Sequence, residues 1–226
     1  MTIALLVPTR ARPEQCQRMI DSANATANGN VHVMLAIQED QIEAYKDVKF
    51  CSKMIVPDWP TVQSWNELAK AAMLTKAKLF MLCADDVVFS TPLWADALLN
   101  HHRGLKEKCH VYSLQDSRDE AGTPHPIVSR EWVDAMGYAF PPIFLHWKLD
   151  VWTVAIAKAN GVFTHFKDFM LTHIKPSDAG VCDETHLRIR RAGWRERDQY
   201  VAQTCDHFLK QEMVRLDNVL RKREAA

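Results

Sequence analysis

The feature that most constrains this fold is an apolar run from Leu79 to Cys83 that is followed almost at once by Asp85 and Asp86. A run of this length and character is typical of a strand that is buried on both faces of a parallel sheet. Two adjacent carboxylates at the rim of such a strand repel each other and lose hydration, so another group must offset that cost. The alternative is a solvated turn in which Asp85 caps the segment that follows.

A divalent cation together with diphosphate oxygens would offset the charge of this acidic pair. Mg²⁺ and Mn²⁺ take oxygen ligands and usually reach a protein through one or two carboxylates. In open α/β sheets, ligands bind in the crevice beyond the carboxyl ends of the strands, which is where Asp85 and Asp86 would lie. The sequence therefore predicts a metal and phosphate site at the end of a central strand.

Strand-like and helix-like segments alternate along the chain, which favours an α/β fold with a Rossmann-type, mostly parallel sheet flanked by helices. Predicted strands cover residues 3–7, 31–37, 54–56, 79–83, 111–114 and 163–170. Predicted helices begin at Pro13, Thr61, Pro92, Arg130 and Asp150. We expect Pro8 to stop the first strand, Ile127 and Val128 to lead into the helix at Arg130, and residues 116–125 to form a polar loop.

The last part of the chain is predicted to be a helical tail that packs on the domain. One apolar stripe at helical spacing runs through Val201, Cys205, Phe208, Leu209, Met213, Leu216 and Leu220. A stripe of this kind predicts one long amphipathic helix. We therefore expect a domain at residues 1–180 and a C-terminal helical extension at residues 181–226.

Charge and cysteine content argue against several classes of protein. The chain has 28 basic and 28 acidic residues, so its net charge gives no support for a large nucleic-acid or membrane footprint. The 6 cysteines are scattered without a CxxC pair, which predicts reduced, buried thiols in a cytosolic protein. The N-terminus lacks a basic leader, and no apolar run reaches the roughly eighteen residues of a membrane span. We expect a soluble, cytoplasmic protein.

The loop after the first predicted strand argues against three classes of nucleotide-binding protein. Neither GxGxxG nor GxxxxGK[ST] occurs there, so a dinucleotide oxidoreductase or a P-loop NTPase would lack its phosphate cradle. A sugar-phosphate nucleotidyltransferase would carry a glycine-rich basic loop at this point. The segment Val7-Pro8-Thr9-Arg10 contains no glycine.

Four segments occur in a characteristic order: Val7-Pro8-Thr9-Arg10-Ala11-Arg12-Pro13, Asn66, Ala84-Asp85-Asp86, and Lys148 to Trp152 followed by Phe169 to Pro176. Together they resemble the nucleotide-sugar glycosyltransferases of the GT-A fold. The triplet ending at Asp86 is similar to that family's acidic DXD metal motif, and Asp150 and His173 lie where the family has a helix-start acid and a late histidine. Two positions depart from the pattern, since Ala84 replaces an acid and Leu149 replaces a common glutamate.

This resemblance implies transfer of a sugar from a nucleotide-diphospho-sugar, with UDP as the expected nucleotide, to a hydroxyl acceptor on a saccharide or small molecule. It implies Mn²⁺ or Mg²⁺ held by Asp86 and His173, and Asp150 as the general base. The residues that it implies on the donor side are Pro8, Thr9, Arg10, Arg12, Glu39, Asp40, Asn66 and Asp85. Trp147 and its neighbour His146 are expected on the acceptor side.

Each of these residues also has a structural interpretation. His173 could be a satisfied surface or core residue, and Asp150 could cap its helix. Asp40 could cap a helix as well, and Arg10 and Arg12 could be solvated loop charges. Trp65, Trp94 and Trp152 fit apolar helical stripes and are expected in the core.

Two alternatives to a saccharide transferase stay open. Compact proteins resembling this one also occur in bacteriophages, where some glycosylate hydroxylated DNA bases in the host cytoplasm. A cluster that could bind DNA locally comprises Arg188, Arg190, Arg191, Arg195 and Arg197. The second alternative is a module that binds a nucleotide or glycan without catalysis, and Ala84 favours it.

Overall fold

The structure is a computed structural model that describes residues 1–119, 121–174 and 184–225, without the side chain of residue 186. Its strands are β1 (Thr2–Thr9), β2 (Val31–Gln38), β3 (Ser52–Val56), β4 (Ala77–Leu82), β5 (Val87–Phe89), β6 (Val111–Asp116), β7 (Ile127–Ser129) and β8 (Phe163–His173). Its helices are α1 (Pro13–Thr26), α2 (Thr61–Met73), α3 (Trp94–Gly104), α4 (Arg130–Met136), α5 (Leu149–Ala159), α6 (Glu184–Arg191), α7 (Trp194–Thr204) and α8 (Asp206–Glu224).

The described strands form one mixed sheet in the order β3-β2-β1-β4-β7-β6-β8-β5. Strand β1 pairs in parallel with β2 and β4, and β6 pairs in parallel with β8. Strand β7 is antiparallel to both β4 and β6. Since two reversals restore the direction, β1, β4, β6 and β8 all run the same way. Their carboxyl ends therefore lie along one edge of the sheet.

Strands β1 and β4 bury both of their faces, as the apolar run predicted. Leu79 and Met81 pack in the cluster formed with α1 and α3, whereas Phe80 and Leu82 pack in the cluster on the opposite face with α2, α4 and α5. Alternation of this kind follows from the twofold periodicity of a strand. The sheet is thus a layer between two apolar cores, which fixes the strand ends that carry the polar residues.

The predicted fold class, an α/β sheet that is mostly parallel with a C-terminal helical tail, is confirmed. Helix α1 begins at Pro13 as predicted, and Gly137 follows α4 in the left-handed conformation with φ of 72°. A proline suits the first turn of a helix, and a glycine tolerates positive φ after the last turn. The predictions made from Pro13 and Gly137 are therefore confirmed.

Three predicted segments were wrong in detail. Pro8 does not stop β1, because the strand continues in register through Thr9, opposite Ile37. Ile127 and Val128 do lead into α4 at Arg130, but they form the strand β7, which was not predicted because it is too short to show any periodicity. The long terminal helix is interrupted at Cys205, whose backbone has ψ of 27°. As a result, Phe208 is 45% exposed instead of buried in the stripe.

The tail packs on the rest of the molecule through α8, which contacts α4 and α5. Leu216 is completely buried there. Of the cysteines, Cys16, Cys83 and Cys109 are buried and reduced, whereas Cys182 lies outside the described residues, as do Lys175 and Pro176. In the described ranges, no helix combines the length and the apolar character needed to cross a membrane.

Candidate functional site

A buried polar cluster lies at the edge where β1, β4, β6 and β8 end. Asp85 and Asp86 follow β4, Asp116 is the last residue of β6, and His173 is the last residue of β8. His125 joins them from the loop that precedes β7. The exposed fractions of Asp85, Asp86, Asp116 and His125 are 5%, 6%, 2% and 4%. The sheet topology thus concentrates ionisable groups where α/β proteins bind their ligands.

His173 lies between two carboxylates. Its Nε2 is 3.2 Å from Oδ1 of Asp86, and its Nδ1 is 3.4 Å from Oδ2 of Asp116. Burial by itself would lower the pKa of His173, but the two carboxylates outweigh burial and raise that pKa to about 9. Without a cation, the imidazolium therefore neutralises part of the acidic charge.

The two acids beside His173 remain ionised although they are buried. Burial favours the neutral form of each acid, but contacts with His173 and the charge of His125 lower the pKa of Asp86 and of Asp116 below the usual range. Arg12 adds to this effect at Asp86, whose Oδ2 lies 3.6 Å from Nη1 of Arg12. The cluster thus holds two carboxylates ready to bind a cation.

His125 is the least satisfied member of the cluster. Its Nε2 lies 3.6 Å from Oδ2 of Asp116, and the backbone of Leu82 is also near the ring. Neither ring nitrogen makes a hydrogen bond of normal geometry with a described residue. Burial, together with the charge of His173, lowers that pKa to about 4. The backbone of His125 has φ of 55°, a conformation that costs energy outside glycine.

The donor set of this cluster fits a divalent cation. One ligand atom from each of Asp116, His125 and His173 can be chosen such that all three lie within 4.8 Å of one another. Oδ1 of Asp86 and Oδ2 of Asp116 are buried and also lack a hydrogen bond of normal geometry. Unsatisfied buried oxygen and nitrogen atoms are costly unless a ligand completes them.

Asp85 differs from Asp86 in that both of its carboxylate oxygens accept hydrogen bonds from side chains of the protein. It accepts hydrogen bonds from Oγ1 of Thr9 at 2.6 Å and from Nη1 of Arg12 at 3.0 Å. Burial raises the pKa of Asp85 to about 6, although Arg12 opposes the shift. Tyr45 supports this arrangement because its hydroxyl contacts Oγ1 of Thr9 at 2.6 Å and accepts from the backbone N–H of Arg12 at 2.9 Å.

The predicted donor residues at the ends of β1 and β2 form a second network. Arg10 pairs with Asp40 through two hydrogen bonds of 2.8 and 2.6 Å, and it also contacts Glu184 of α6 at 3.3 Å. The hydrogen bond from Arg10 lowers the pKa of Asp40. Glu39 is exposed, and Pro8 is half-buried within β1. Arg10 is thus neutralised by carboxylates of this chain, whereas Arg12 faces the acidic pair.

Asn66 uses most of its side-chain amide within the fold. Its Oδ1 accepts from the backbone N–H groups of Ala139 and Phe140, both at 3.0 Å, and its Nδ2 donates to the carbonyl of Phe140 at 2.9 Å. One N–H of the amide remains for another acceptor. The sequence resemblance predicted that Asn66 contacts the nucleotide-sugar. The hydrogen bonds of Asn66 in the structure stabilise the turn at residues 139–140.

Asp150 lies in the first turn of α5, one residue after the helix begins. Its Oδ1 accepts from the backbone N–H of Val151 at 2.8 Å. Burial raises the pKa of Asp150, and the negative charge of Asp119 contributes to the shift. Asp119 belongs to the loop that follows β6. Asp150 therefore lies within electrostatic range of the loop that comes directly after Asp116. A carboxylate with a raised pKa in this position can accept a proton.

The predicted acceptor residues lie on an aromatic group beside the strand ends. His146 stacks on Trp65 with ring centroids 6.2 Å apart, and the indole of Trp65 donates to the carbonyls of Leu6 and Cys83 at 3.0 and 3.3 Å. Trp147 is 39% exposed, and the guanidinium of Arg195 lies 5.5 Å from its ring. The predicted core positions of Trp65, Trp94 and Trp152 are confirmed, since all three side chains are buried.

Asp198 of α7 positions the segment that contains the two predicted acceptor residues, and nothing in the sequence indicated this role. The side chain is completely buried. Its two oxygens accept from the backbone N–H groups of Leu145, His146 and Trp147 at distances of 2.8 to 3.1 Å. Asp198 therefore fixes the backbone that presents the two aromatic rings.

Sequence reasoning also missed two residues of the cluster that could hold a cation, Asp116 and His125. A signal existed for Asp116, because it ends an apolar strand in the same way that Asp85 and Asp86 follow β4. His125 was predicted as a polar loop residue between Pro124 and Pro126 that could suit the acceptor, and not as a metal ligand. Its proximity to His173 depends on the pairing of β7 with β4 and β6, which the sequence did not reveal.

No protein-family model matches the chain, and no curated protein matches it by sequence. Solved structures do match. TarS from S. aureus is 12% identical with a TM-score of 0.56, and the match covers 78% of this chain but only 37% of TarS. A glucosyl-3-phosphoglycerate synthase from Mycobacterium tuberculosis, solved with Mn²⁺, UDP and phosphoglyceric acid, is 14% identical with a TM-score of 0.54, and 79% of this chain and 72% of that chain are covered.

A third match is the mannosyltransferase PcManGT from Pyrobaculum calidifontis, solved with GDP-Man and Mn²⁺. It is 13% identical with a TM-score of 0.56, and the match covers 99% of this chain and 75% of that chain. At these identities the matches establish the architecture. They show that this chain has the GT-A fold of nucleotide-sugar glycosyltransferases, as its sequence resemblance implied.

Proposed function

We propose that this protein is a metal-dependent glycosyltransferase that moves a sugar from a nucleotide-diphospho-sugar, with UDP as the nucleotide, to a hydroxyl group of a saccharide or small molecule. The observation that carries the proposal is the contact of Asp86 with His173, 3.2 Å apart at the carboxyl edge of a GT-A sheet. The solved relatives with bound UDP or GDP-Man and a divalent cation add support for this class of donor.

In this proposal the cation-binding residues are Asp86 and His173, and the ion is Mn²⁺ or Mg²⁺. When bound, the cation supplies Lewis-acid stabilisation of the departing diphosphate. Arg12, 3.6 Å from Asp86, suits the same diphosphate because a guanidinium pairs with phosphate oxygens as a fork. Asp85 and Thr9 hold Arg12 and its loop in place, and Asp85 is also the proposed ribose contact.

On the donor side, Pro8, Arg10, Glu39, Asp40 and Asn66 remain proposed contacts to the nucleotide or its sugar. On the acceptor side, Asp150 acts as general base on the acceptor hydroxyl. Its Oδ1 is occupied by the N–H of Val151, whereas Oδ2 accepts no hydrogen bond from another described residue. Trp147 offers an exposed ring on which a sugar can stack, and His146 supports that ring.

The experiment that tests this function is titration calorimetry with UDP in the presence and absence of Mn²⁺. We expect UDP binding that requires Mn²⁺ and is lost in Asp86→Asn, because the carboxylate replaces water around the cation. Asp47→Asn, which changes an exposed aspartate, is the matched control. Unchanged, metal-dependent affinity in Asp86→Asn would contradict the proposal. An assay of nucleotide-sugar hydrolysis with and without Mn²⁺ distinguishes an enzyme, which hydrolyses the sugar donor, from a module that only binds it.

A modified DNA base is the second candidate acceptor, since Arg190, Arg191 and Arg195 are exposed on α6 and α7. The other two arginines of the predicted cluster are engaged, Arg188 with Asp58 and Arg197 with Asp198. A gel shift with duplex DNA at increasing salt tests this candidate, because phosphate binding weakens steeply with salt. Replacement of the three exposed arginines by glutamine should remove the shift. Absence of binding at low salt would eliminate DNA as the acceptor.

A further inference from the structure

The resemblance assigns only Asp86 and His173 to the cation, but the fold brings two further donors to the same place. Asp116 and His125 are 2% and 4% exposed. Oδ2 of Asp116 lies 3.4 Å from His173 and 3.6 Å from His125. These residues come from β6, β8 and the loop before β7, so only the folded sheet unites them.

The unsatisfied atoms of this group point to a ligand. In the part of the chain that the structure describes, Oδ2 of Asp116 and both ring nitrogens of His125 are buried and find no hydrogen bond of normal geometry. A buried imidazole without a hydrogen bond of normal geometry loses its hydration and recovers only part of that cost from longer contacts. His125 also has φ of 55°, and strained backbone that the surrounding structure maintains is found preferentially at binding sites.

The position of His173 determines how its two nitrogens can be used. Nδ1 faces Asp116, and Nε2 faces Asp86. If Nδ1 ligates a cation together with Asp116 and His125, Nε2 is left to donate to Asp86. A histidine ligand whose second nitrogen donates to a carboxylate is a common arrangement at metal sites, since it orients the ring.

We propose that Asp116, His125 and His173 form a cation site made entirely by the protein, which binds a divalent transition metal without nucleotide. Oδ1 of Asp86 then orients His173, and Oδ2 of Asp86 is left for the role of direct cation ligand that the proposed function gives to this residue. The proposal deepens the proposed function because it concerns the same pocket. Two imidazole nitrogens and one carboxylate favour Mn²⁺, Co²⁺ or Zn²⁺ over Mg²⁺, which prefers oxygen ligands. The nucleotide would then arrive at a pocket that already contains its metal.

The test measures Mn²⁺ affinity of the full-length, chelator-treated protein in the absence of nucleotide, by calorimetry and by electron paramagnetic resonance. We expect Mn²⁺ to bind the unmodified protein and Mg²⁺ to compete poorly. Asp116→Asn and His125→Asn should each weaken Mn²⁺ binding by at least about 10-fold, the lower end of the effect of even supporting residues at metal sites. Asparagine is chosen at position 125 because it tolerates positive φ.

Controls and a second readout keep the result interpretable. His32→Gln and Asp47→Asn change exposed residues and should leave Mn²⁺ affinity unchanged. Electron spin-echo modulation of bound Mn²⁺ should report two coordinated imidazoles in the unmodified protein and one in His125→Asn. Circular dichroism confirms that each variant is folded. Unchanged Mn²⁺ affinity in Asp116→Asn or His125→Asn, or equal affinities for Mg²⁺ and Mn²⁺, would overturn the proposal.

The outcomes also separate this inference from the proposed function. If Mn²⁺ binds as expected but UDP never binds, the transferase assignment fails and the cation site stands. If UDP binding requires Mn²⁺ and Asp86 but is indifferent to Asp116 and His125, the cation site fails and the transferase assignment stands.

Discussion

Asp198 and Asp116 are both buried carboxylates, but their surroundings differ. Asp198 accepts hydrogen bonds from three consecutive backbone N–H groups, and Arg197 lies 2.8 Å from it. Among the described residues, Oδ1 of Asp116 accepts from the backbone N–H of Arg118, whereas Oδ2 faces His125 and His173 at 3.6 and 3.4 Å without a hydrogen bond of normal geometry. A carboxylate whose oxygens are used by the protein stabilises the fold, and one with an unused oxygen is available to a ligand.

Asp150 is intermediate between these two cases. One of its oxygens accepts from the N–H of Val151, and the other accepts from no other described residue. The comparison therefore assigns different consequences to the loss of each carboxylate. Loss of Asp198 should affect stability, loss of Asp116 should affect metal binding, and loss of Asp150 should affect turnover.

The largest expected effect is that of Asp150→Asn on catalysis. Removal of a general base typically costs 10²- to 10⁴-fold, so we expect turnover to fall by roughly 10³-fold while Mn²⁺-dependent UDP binding persists. Steady-state kinetics and UDP calorimetry on the same sample check both parts. A base that activates the acceptor directly also implies inversion at the anomeric carbon. Retention in the product, observed by NMR, would exclude this role for Asp150.

The next effect in size is that of Asp198→Ala on stability. Removal of a buried, paired carboxylate leaves N–H groups and Arg197 without their acceptor, and we expect a loss of about 3 kcal/mol in the free energy of unfolding. For a chain of this length that corresponds to a decrease of roughly 6 to 12 °C in Tm. Calorimetric melting checks it, with Asp47→Ala as the exposed control. If Asp198→Ala instead weakened Mn²⁺ binding and left the free energy of unfolding unchanged, the roles that the comparison gives to Asp198 and Asp116 would be wrong.

The smallest expected effect is that of pH on stability, and it concerns buried histidines, to which the same comparison applies. His102 and His110 are buried, and burial lowers the pKa of each to about 4. Unlike His125, each has a hydrogen-bond partner, the hydroxyl of Tyr112 and the hydroxyl of Thr164, both at 2.9 Å. They are therefore structural residues that are stable in the neutral form.

The sign of the pH effect follows from these pKa values. Between a pKa of about 6.5 when unfolded and about 4 when folded, the unfolded chain binds more protons, so stability decreases as the pH falls through that window. From pH 7 to pH 5, each histidine should remove about 2 kcal/mol of stability. Urea unfolding at both pH values should show a smaller decrease in His110→Gln. An identical decrease in that variant would show that His110 does not contribute.

The sequence by itself determined most of the helices and strands, though not the short strands β5 and β7, and it determined one strand end that carries acidic residues. The apolar runs predicted β1 and β4, Pro13 predicted the start of α1, and Gly137 predicted the end of α4. It also gave an acidic pair after β4 and a fold class that the solved structures confirm. Each of these features depends on residues that are close together in the sequence, so local periodicity and backbone conformation are enough to specify it.

Only the tertiary structure decided which polar groups meet. Asp116, His125 and His173 converge because β7 inserts antiparallel between β4 and β6, and β8 pairs in parallel with β6. The same long-range packing directs Asn66 to the turn at residues 139–140 and Asp198 to the backbone of residues 145–147. Such contacts depend on strand order and register, which are set by the burial of whole sheet faces and not by any local pattern of residues.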